Sequence, residues 1–188
     1  MALIDGREAE KEAVMAAAKL MAAAARTAPK TRGVDSVKTL IVAGDDLEPL
    51  AQAMETKVKE KAHSLPFFGR DAGNVRKSAA VLLIGVTGEP KKPEDPLNCG
   101  ACGNRTCAEF IANQKQEGED YQGPLCVFQS IDLGIAVGAA AKVASELNID
   151  NRIMYTVGAA ARKIGMMNAD VVLALPLSVS GKNPYFDR

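Results

Sequence analysis

Three of the four cysteines of this chain lie within nine positions, in the stretch LNCGACGNRTC, and this cluster constrains the fold more than any other feature. The full spacing is Cys99-x2-Cys102-x4-Cys107-x18-Cys126. Thiolates are soft ligands that hold iron–sulfur clusters and structural zinc. Three kinds of site would explain this segment: a metal centre, a redox-active pair of cysteines or a set of disulfide bonds.

The cellular compartment separates these possibilities. The N-terminus has no basic segment followed by an apolar stretch, so it does not read as a secretion signal. We expect no membrane insertion, because Lys142 and Glu146 interrupt the longest apolar run. We predict a soluble cytoplasmic protein, and in that compartment clustered cysteines more often bind metal or carry out redox chemistry than form disulfides.

Composition weighs against nucleic-acid partners. The 188 residues carry 23 basic and 23 acidic side chains, so bulk charge does not favour a polyanion. Aromatic residues make up 4% of the chain and tryptophan is absent, which weighs against stacking platforms for bases. We therefore predict no nucleic-acid partner.

The cysteine spacing favours an iron–sulfur cluster over zinc. Zinc held by four cysteines usually uses two distant CxxC pairs, whereas this chain has one CxxC, a third cysteine close by and a remote fourth. Gly100 and Gly103 let the loop curl around a bulky inorganic core. Zinc and free or disulfide-bonded cysteines remain as alternatives.

Two of the cysteines are predicted at helix starts. Cys107 opens a short helix over 107–118, with Asn104 or Thr106 near its cap. Cys126 precedes a long helix over 128–149. Both positions put the positive end of a helix dipole near an anionic cluster.

The flanking sequence predicts alternating helices and strands. Helices are expected over 5–26, 45–64, 128–149 and 156–165, and buried strands over 37–44, 79–86 and 169–179. Residues 65–74 are expected to form a loop. In the long helix, Gly134 and Gly138 share one face, which predicts close approach of another backbone. This order predicts an α/β (α+β) sandwich with a small central sheet, divided into 1–90, an insert at 91–127, and 128–188.

The cysteine segment resembles the four-cysteine 4Fe-4S domain of Rnf-type electron-transport subunits and of corrinoid iron–sulfur proteins. The residues that carry the likeness are NCGACGNRTCAEFIANQ and GPLC, which follow the pattern CG-x-CG-x3-C with a distant fourth cysteine. The resemblance implies one [4Fe-4S] cluster held by Cys99, Cys102, Cys107 and Cys126.

The remaining sequence resembles flavin-dependent nitroreductases, through MAAAARTAPKTRGVDSVKTLIVAG, IDLGIAVGAAAKVASELNID and VVLALPLSVSGKNP. The whole chain is similar to uncharacterised prokaryotic proteins with a ferredoxin domain. The resemblance implies a nitroreductase-like frame, a homodimer and an FMN site. Those enzymes hold the flavin phosphate with several early arginines, where this chain has only Arg7. Lys30 and Arg32 could hold a phosphate or another anion, or could be solvated loop charges.

We therefore predict an iron–sulfur protein that transfers electrons to or from a redox partner protein. One alternative is an FMN-dependent reductase in which the cluster feeds the flavin, that is, a flavin/iron–sulfur oxidoreductase. Another is a structural or interaction protein stapled by a cluster or by zinc. The small-residue helical segments 13–25 and 133–147 are predicted surfaces of a homodimer.

Overall fold

The computed structural model describes residues 3–60 and 66–186. Its helices are α1 (Gly6–Thr27), α2 (Leu47–Glu60), α3 (Pro66–Arg76), α4 (Cys107–Ala112), α5 (Val127–Glu146) and α6 (Tyr155–Lys163). Its strands are β1 (Lys38–Ala43), β2 (Ala80–Val86), β3 (Gln116–Glu117), β4 (Gln122–Gly123), β5 (Asp150–Asn151) and β6 (Val171–Ser178). The predicted α/β fold with a small sheet is confirmed.

The main sheet is antiparallel, in the order β1-β2-β6-β5. Its register pairs Leu83 of β2 with Ala174 of β6. Every residue of β2 is buried. This explains why β2 is an uninterrupted apolar run in the sequence rather than an alternating one.

Helices cover both faces of the sheet, because successive side chains of a strand point to opposite sides. Val81 and Leu83 belong to a core shared with α2, α3 and α6. Leu82 and Ile84 belong to a second core shared with α1 and α5. The main sheet and the helices on its two faces thus form three layers. We call this part of the molecule, which consists of the sheet with α1, α2, α3, α5 and α6, the frame.

Several element predictions hold and others are wrong. The helix predicted over 5–26 is α1, and Asp5 caps it by accepting the N–H of Arg7 at 2.9 Å. Of the expected loop at 65–74, residue 65 lies outside the described residues and 66–74 are instead part of α3. Here Pro66 takes the first helical position, and Phe68, Ala72 and Val75 form a buried stripe. The glycines between these apolar residues hid the helical period. Of the predicted helix over 45–64, residues 61–64 lie outside the described residues.

The predicted buried strand at 37–44 is an edge strand. Within β1 (Lys38–Ala43) Val42 is the one buried residue, and Leu40 is 39% exposed. The sequence shows the β-branched composition of a strand but does not show which position the strand takes in the sheet.

The expectation of close packing at Gly134 and Gly138 is wrong within this chain. A Cβ built at either position meets no atom within 4 Å. The close approach occurs at Gly158 in α6, where a Cβ would lie 1.9 Å from the carbonyl oxygen of Val172 in β6. Glycine is therefore required where α6 packs on the sheet.

Helix α5 is, by length and composition, apolar enough to cross a membrane, with a mean hydropathy of 1.4 over 18 residues. Lys142 and Glu146 therefore do not keep this run below membrane length and apolar composition, contrary to the reasoning from sequence. The expectation of no membrane insertion stays a prediction. In the described structure 39% of that window is buried, and Leu133, Ala136 and Ala140 contribute to the frame's second core. A core helix passes the same test of length and composition.

Candidate metal centre

The four cysteines line one small cavity between the loop that precedes α4 and the start of α5. Cys99 is exposed, and the other three are partly buried. The fold thus brings Cys126 next to the other three across 18 intervening residues. All four are free thiols. Within residues 3–60 and 66–186, no three His, Cys, Asp or Glu side chains are grouped so as to hold a metal ion.

The loop that carries Cys99 and Cys102 is curled by left-handed backbone conformations. Gly100 has φ +76° and Gly103 has φ +84°, as expected for glycines that let the loop curl. Asn98, at φ +47°, accepts the N–H of Cys107 at 2.8 Å through its Oδ1. This hydrogen bond closes the loop and fixes where α4 begins.

Helix α4 begins at Cys107 as predicted, and Thr106 caps it. The Thr106 Oγ1 accepts the N–H of Glu109 at 3.1 Å. The helix ends at Ala112, well before the predicted residue 118, because the chain then enters the β3–β4 hairpin. Asn104, the other expected cap, instead turns toward Cys102.

The side chain of Asn104 lines the cysteine cavity. Its Nδ2 lies 3.4 Å from the carbonyl oxygen of Cys102 and 3.6 Å from the Cys102 Sγ. Its Oδ1 accepts the Nδ2 of Asn113 at 2.7 Å. A side-chain amide is therefore held against one of the four sulfurs.

Cys126 is the N-cap residue of α5, and its side chain makes no capping hydrogen bond. Its N–H donates to the carbonyl of Gly88 at 2.7 Å. A Cβ at Gly88 would lie 2.3 Å from Leu125 Cδ2 and 3.1 Å from its Cα, so a larger residue there would have to displace Leu125. Gly88 sets the position of Cys126, yet sequence reasoning missed it, since its one local signal was a glycine after a strand.

Asp170, also missed from the sequence, joins the cysteine segment to the frame. Its Oδ2 accepts the N–H of Gly88 at 2.6 Å and pairs with the Nζ of Lys115 at 2.5 Å. Burial disfavours the charged Lys115, but hydrogen bonds to Asp170 and Glu89 outweigh that cost and raise its pKa. No local pattern around Asp170 distinguishes it from a loop residue.

A buried ion pair anchors the start of the cysteine segment, by which we mean residues 91–126. Lys91 pairs with Asp132 of α5, whose carboxylate also accepts the N–H of Thr31 at 3.0 Å and its hydroxyl at 2.9 Å. The Lys91 Nζ donates to the carbonyl of Val34 at 2.6 Å. These contacts tie the proline-rich linker, α5 and the loop after α1 together.

The β3–β4 hairpin anchors the far end of the segment. Lys57 of α2 pairs with Asp120, which also accepts the hydroxyl of Tyr155 at 2.5 Å. The Tyr121 hydroxyl donates to the carbonyl of Val172 at 2.8 Å, and burial raises the pKa of this tyrosine. The chain is thus fixed to the frame on both sides of the cysteines.

The two cations expected to hold an anion have protein partners. The Lys30 ammonium donates to the carbonyl of Ala25 at 2.9 Å and to that of Arg26, at the C-terminus of α1. Arg32, at φ +60°, pairs with the exposed Asp95. Their role toward a phosphate stays a prediction.

Comparison of the sequence with those of known proteins identifies relatives. A family model described as "Uncharacterized protein containing a ferredoxin domain" (DUF2148) matches residues 122–188. An uncharacterised protein of Archaeoglobus fulgidus is 46% identical over 186 residues, which cover 99% of this chain and 97% of that protein. This similarity spans both the frame and the cysteine segment.

Solved structures with a similar fold include nitroreductases. A nitroreductase from Desulfovibrio desulfuricans in complex with FMN matches with a TM-score of 0.53 and 14% identity, over 92% of this chain and 78% of that one. A nitroreductase family protein from Clostridium novyi matches with a TM-score of 0.52 and 15% identity, over 95% and 77%. A nitroreductase-like protein from Bacillus cereus gives 0.55 and 9%, over 92% and 78%. At these identities the likeness shows the fold, which is nitroreductase-like.

Proposed function

Because the chain belongs to the family of uncharacterised proteins that contain a ferredoxin domain, we propose that it is an iron–sulfur electron-transfer protein. In this proposal Cys99, Cys102, Cys107 and Cys126 bind one [4Fe-4S] cluster. The observation that carries it is the single cavity that all four line. The family description supports the ferredoxin role at a coarser level.

The chemistry of the residues around the cavity suits such a group, although the four cysteine side chains are not grouped as metal ligands in the described structure. Four cysteines line it, with no His, Asp or Glu among the lining residues, and four thiolates are the ligands of a cubane cluster. The Asn104 amide and the start of α5 border the cavity with positive dipoles, which suits an anionic cluster. When bound, the cluster would supply one-electron redox chemistry. Cys99 is exposed, so a partner protein can approach this edge of the site.

The test is an iron, sulfide and flavin assay on protein purified without oxygen. We expect brown protein with about four irons and four sulfides per chain. Cys126→Ser should lose or convert the cluster. Ser130→Ala is the control, since this residue lies in the same helix, is exposed and does not line the cavity. Colourless protein with one zinc would overturn the redox role and leave a zinc-stapled interaction protein.

A second candidate function is an FMN-dependent reductase in which the cluster feeds the flavin. The observation in its favour is that the frame matches nitroreductase structures over at least 92% of this chain, one of them in complex with FMN. Lys30 and Arg32 would then exchange their present partners, the α1 carbonyls and Asp95, for the flavin phosphate.

Flavin content tests this second function. A yellow chromophore released on denaturation, reduced in Lys30→Ala and Arg32→Ala but retained in Arg105→Ala, would support it. Arg105 is a suitable control because its side chain is 90% exposed and pairs locally with Glu109. Protein that takes up no FMN on reconstitution would end this candidate.

We also propose that the chain forms a homodimer through one face of α5. Ile131 and Ile135 are 46% and 40% exposed there, next to Gly134 and Gly138, which have open space before them. Leu20 of α1, the helix that packs against α5, is also an exposed apolar residue, at 55%. Light scattering should give twice the chain mass, and Ile135→Glu should give monomers. A monomeric wild type would refute the proposal.

A further inference from the structure

We propose that Asn104 is a positioning residue that donates an N–H to the thiolate of Cys102 and raises the reduction potential of the bound cluster. The inference rests on the proposed function, because it needs a cluster on the four cysteines. It assigns a role to a residue that lies outside the ligand set. Among the described residues, Cys102 is the cysteine whose sulfur accepts a side-chain hydrogen bond.

The orientation of the Asn104 amide is fixed by two neighbours. The Nδ2 side faces the carbonyl oxygen of Cys102 at 3.4 Å, which is an acceptor and requires the NH₂ group there. On the other side, the Asn104 Oδ1 accepts the Nδ2 of Asn113 at 2.7 Å. With the amide held this way, Nδ2 lies 3.6 Å from the Cys102 Sγ, within range for a hydrogen bond to sulfur.

The direction of the effect follows from charge. Reduction adds one negative charge to the cluster and its thiolates, so a donor aimed at a ligand sulfur stabilises the reduced form more than the oxidised form. Hydrogen bonds to the sulfurs are among the features that set cluster potentials. Both Asn104 and Cys102 are partly buried, so water replaces this donor incompletely when it is removed.

The measurement is a potentiometric titration of the anaerobically purified protein, followed by the visible and electron-spin signals of the cluster. Asn104→Ala should keep the iron content and lower the potential. We expect a three- to tenfold smaller one-electron reduction constant, which is about 30–60 mV. Asn113→Ala should give a smaller shift in the same direction, because the Asn104 amide then loses its second anchor. Gln114→Ala is the control, since this exposed amide follows Asn113 in sequence and does not line the cysteine cavity.

The outcomes separate this inference from the proposed function. Wild-type protein without a cluster contradicts the proposed function itself. Wild-type and Asn104→Ala proteins with equal iron content and equal potentials overturn the role of Asn104 while the cluster stands. If Asn104→Ala fails to assemble a cluster, Asn113→Ala decides: an unchanged potential there refutes the inference, and a lowered one supports it. A shift as large in Gln114→Ala also refutes it.

Discussion

The frame and the cysteine segment are held together by different forces. The frame has an apolar core on each face of its sheet, and β2 is buried along its whole length. Between residues 91 and 126, Phe110 is the one buried apolar residue. The segment is instead attached by ion pairs such as Lys115–Asp170 and Lys57–Asp120.

This difference determines which interactions supply the folding free energy of each part. Fully burying a leucine-sized side chain contributes about 1.5–3 kcal/mol, so the frame has many such contributions. Ion pairs add less per contact and need their partners in place. A bound cluster would therefore contribute folding free energy mainly to the segment and little to the frame.

The largest effect is expected from metal removal. Chelation under anaerobic conditions should raise amide hydrogen exchange at 97–115 by roughly tenfold or more, since local opening there no longer breaks ligand bonds. Amides of β2 and β6 should exchange as before. Equal protection of the segment with and without metal would show that protein contacts alone hold it.

Truncating an apolar side chain in the core of the frame should destabilise the frame and leave metal binding unchanged. Leu83→Ala removes a side chain with 0% exposure from the centre of β2 and should cost about 2–5 kcal/mol in the free energy of unfolding. Iron bound per folded chain should not change. Leu40→Ala on the edge strand, where the residue is 39% exposed, should cost well under half as much. Denaturant unfolding and metal analysis measure both quantities. A drop in iron per folded chain would show that metal binding by the segment depends on the core of the frame.

Asp170→Asn tests the attachment between them. The substitution removes the charge that pairs with Lys115, in a carboxylate whose side chain is 8% exposed, and should cost about 1–3 kcal/mol. The loss should appear as faster hydrogen exchange in the segment. Glu89 is the other partner of Lys115, and its side chain is 63% exposed. Glu89→Gln should therefore have little effect. Equal effects of the two variants would remove Asp170 from its anchoring role.

The smallest effect is a pH dependence of the same contact. The pKa of Lys115 is raised in the folded protein, so its contribution is complete below the unfolded pKa and is lost as pH rises through the folded value. The stability difference between wild type and Lys115→Met should therefore shrink above about pH 10.4. Thermal unfolding of both proteins between about pH 8 and pH 11 checks this. A difference that grows with pH would contradict the assignment.

Much of the site could be predicted from local sequence. The cysteine spacing identified four candidate ligands, which the structure places at one cavity, and Cys107 and Cys126 stand at helix starts as expected. Gly100 and Gly103 have the positive φ that their position suggested. These features depend on neighbours a few residues away. Binding of the cluster itself stays a prediction.

Other features were hidden because they arise between distant residues. Helix α3 was missed, since its apolar residues are separated by glycines, and its burial depends on packing against α2 and α6. Asp170 and Gly88 became part of the site only where the end of β2 and the start of β6 meet the chain before α5. The roles of Lys30 and Arg32 changed in the same way, through contacts with α1 and Asp95.

The sequence by itself determined the ligand types, their spacing, the glycine-rich loop and the apolar periods that give helices and a central strand, because each depends on short-range stereochemistry. Only the tertiary structure decided that Cys126 faces the other three cysteines, that Asp170 anchors the segment, and that the Asn104 amide points at the Cys102 sulfur. Those outcomes depend on which surfaces pack together, and packing joins residues that no local pattern connects.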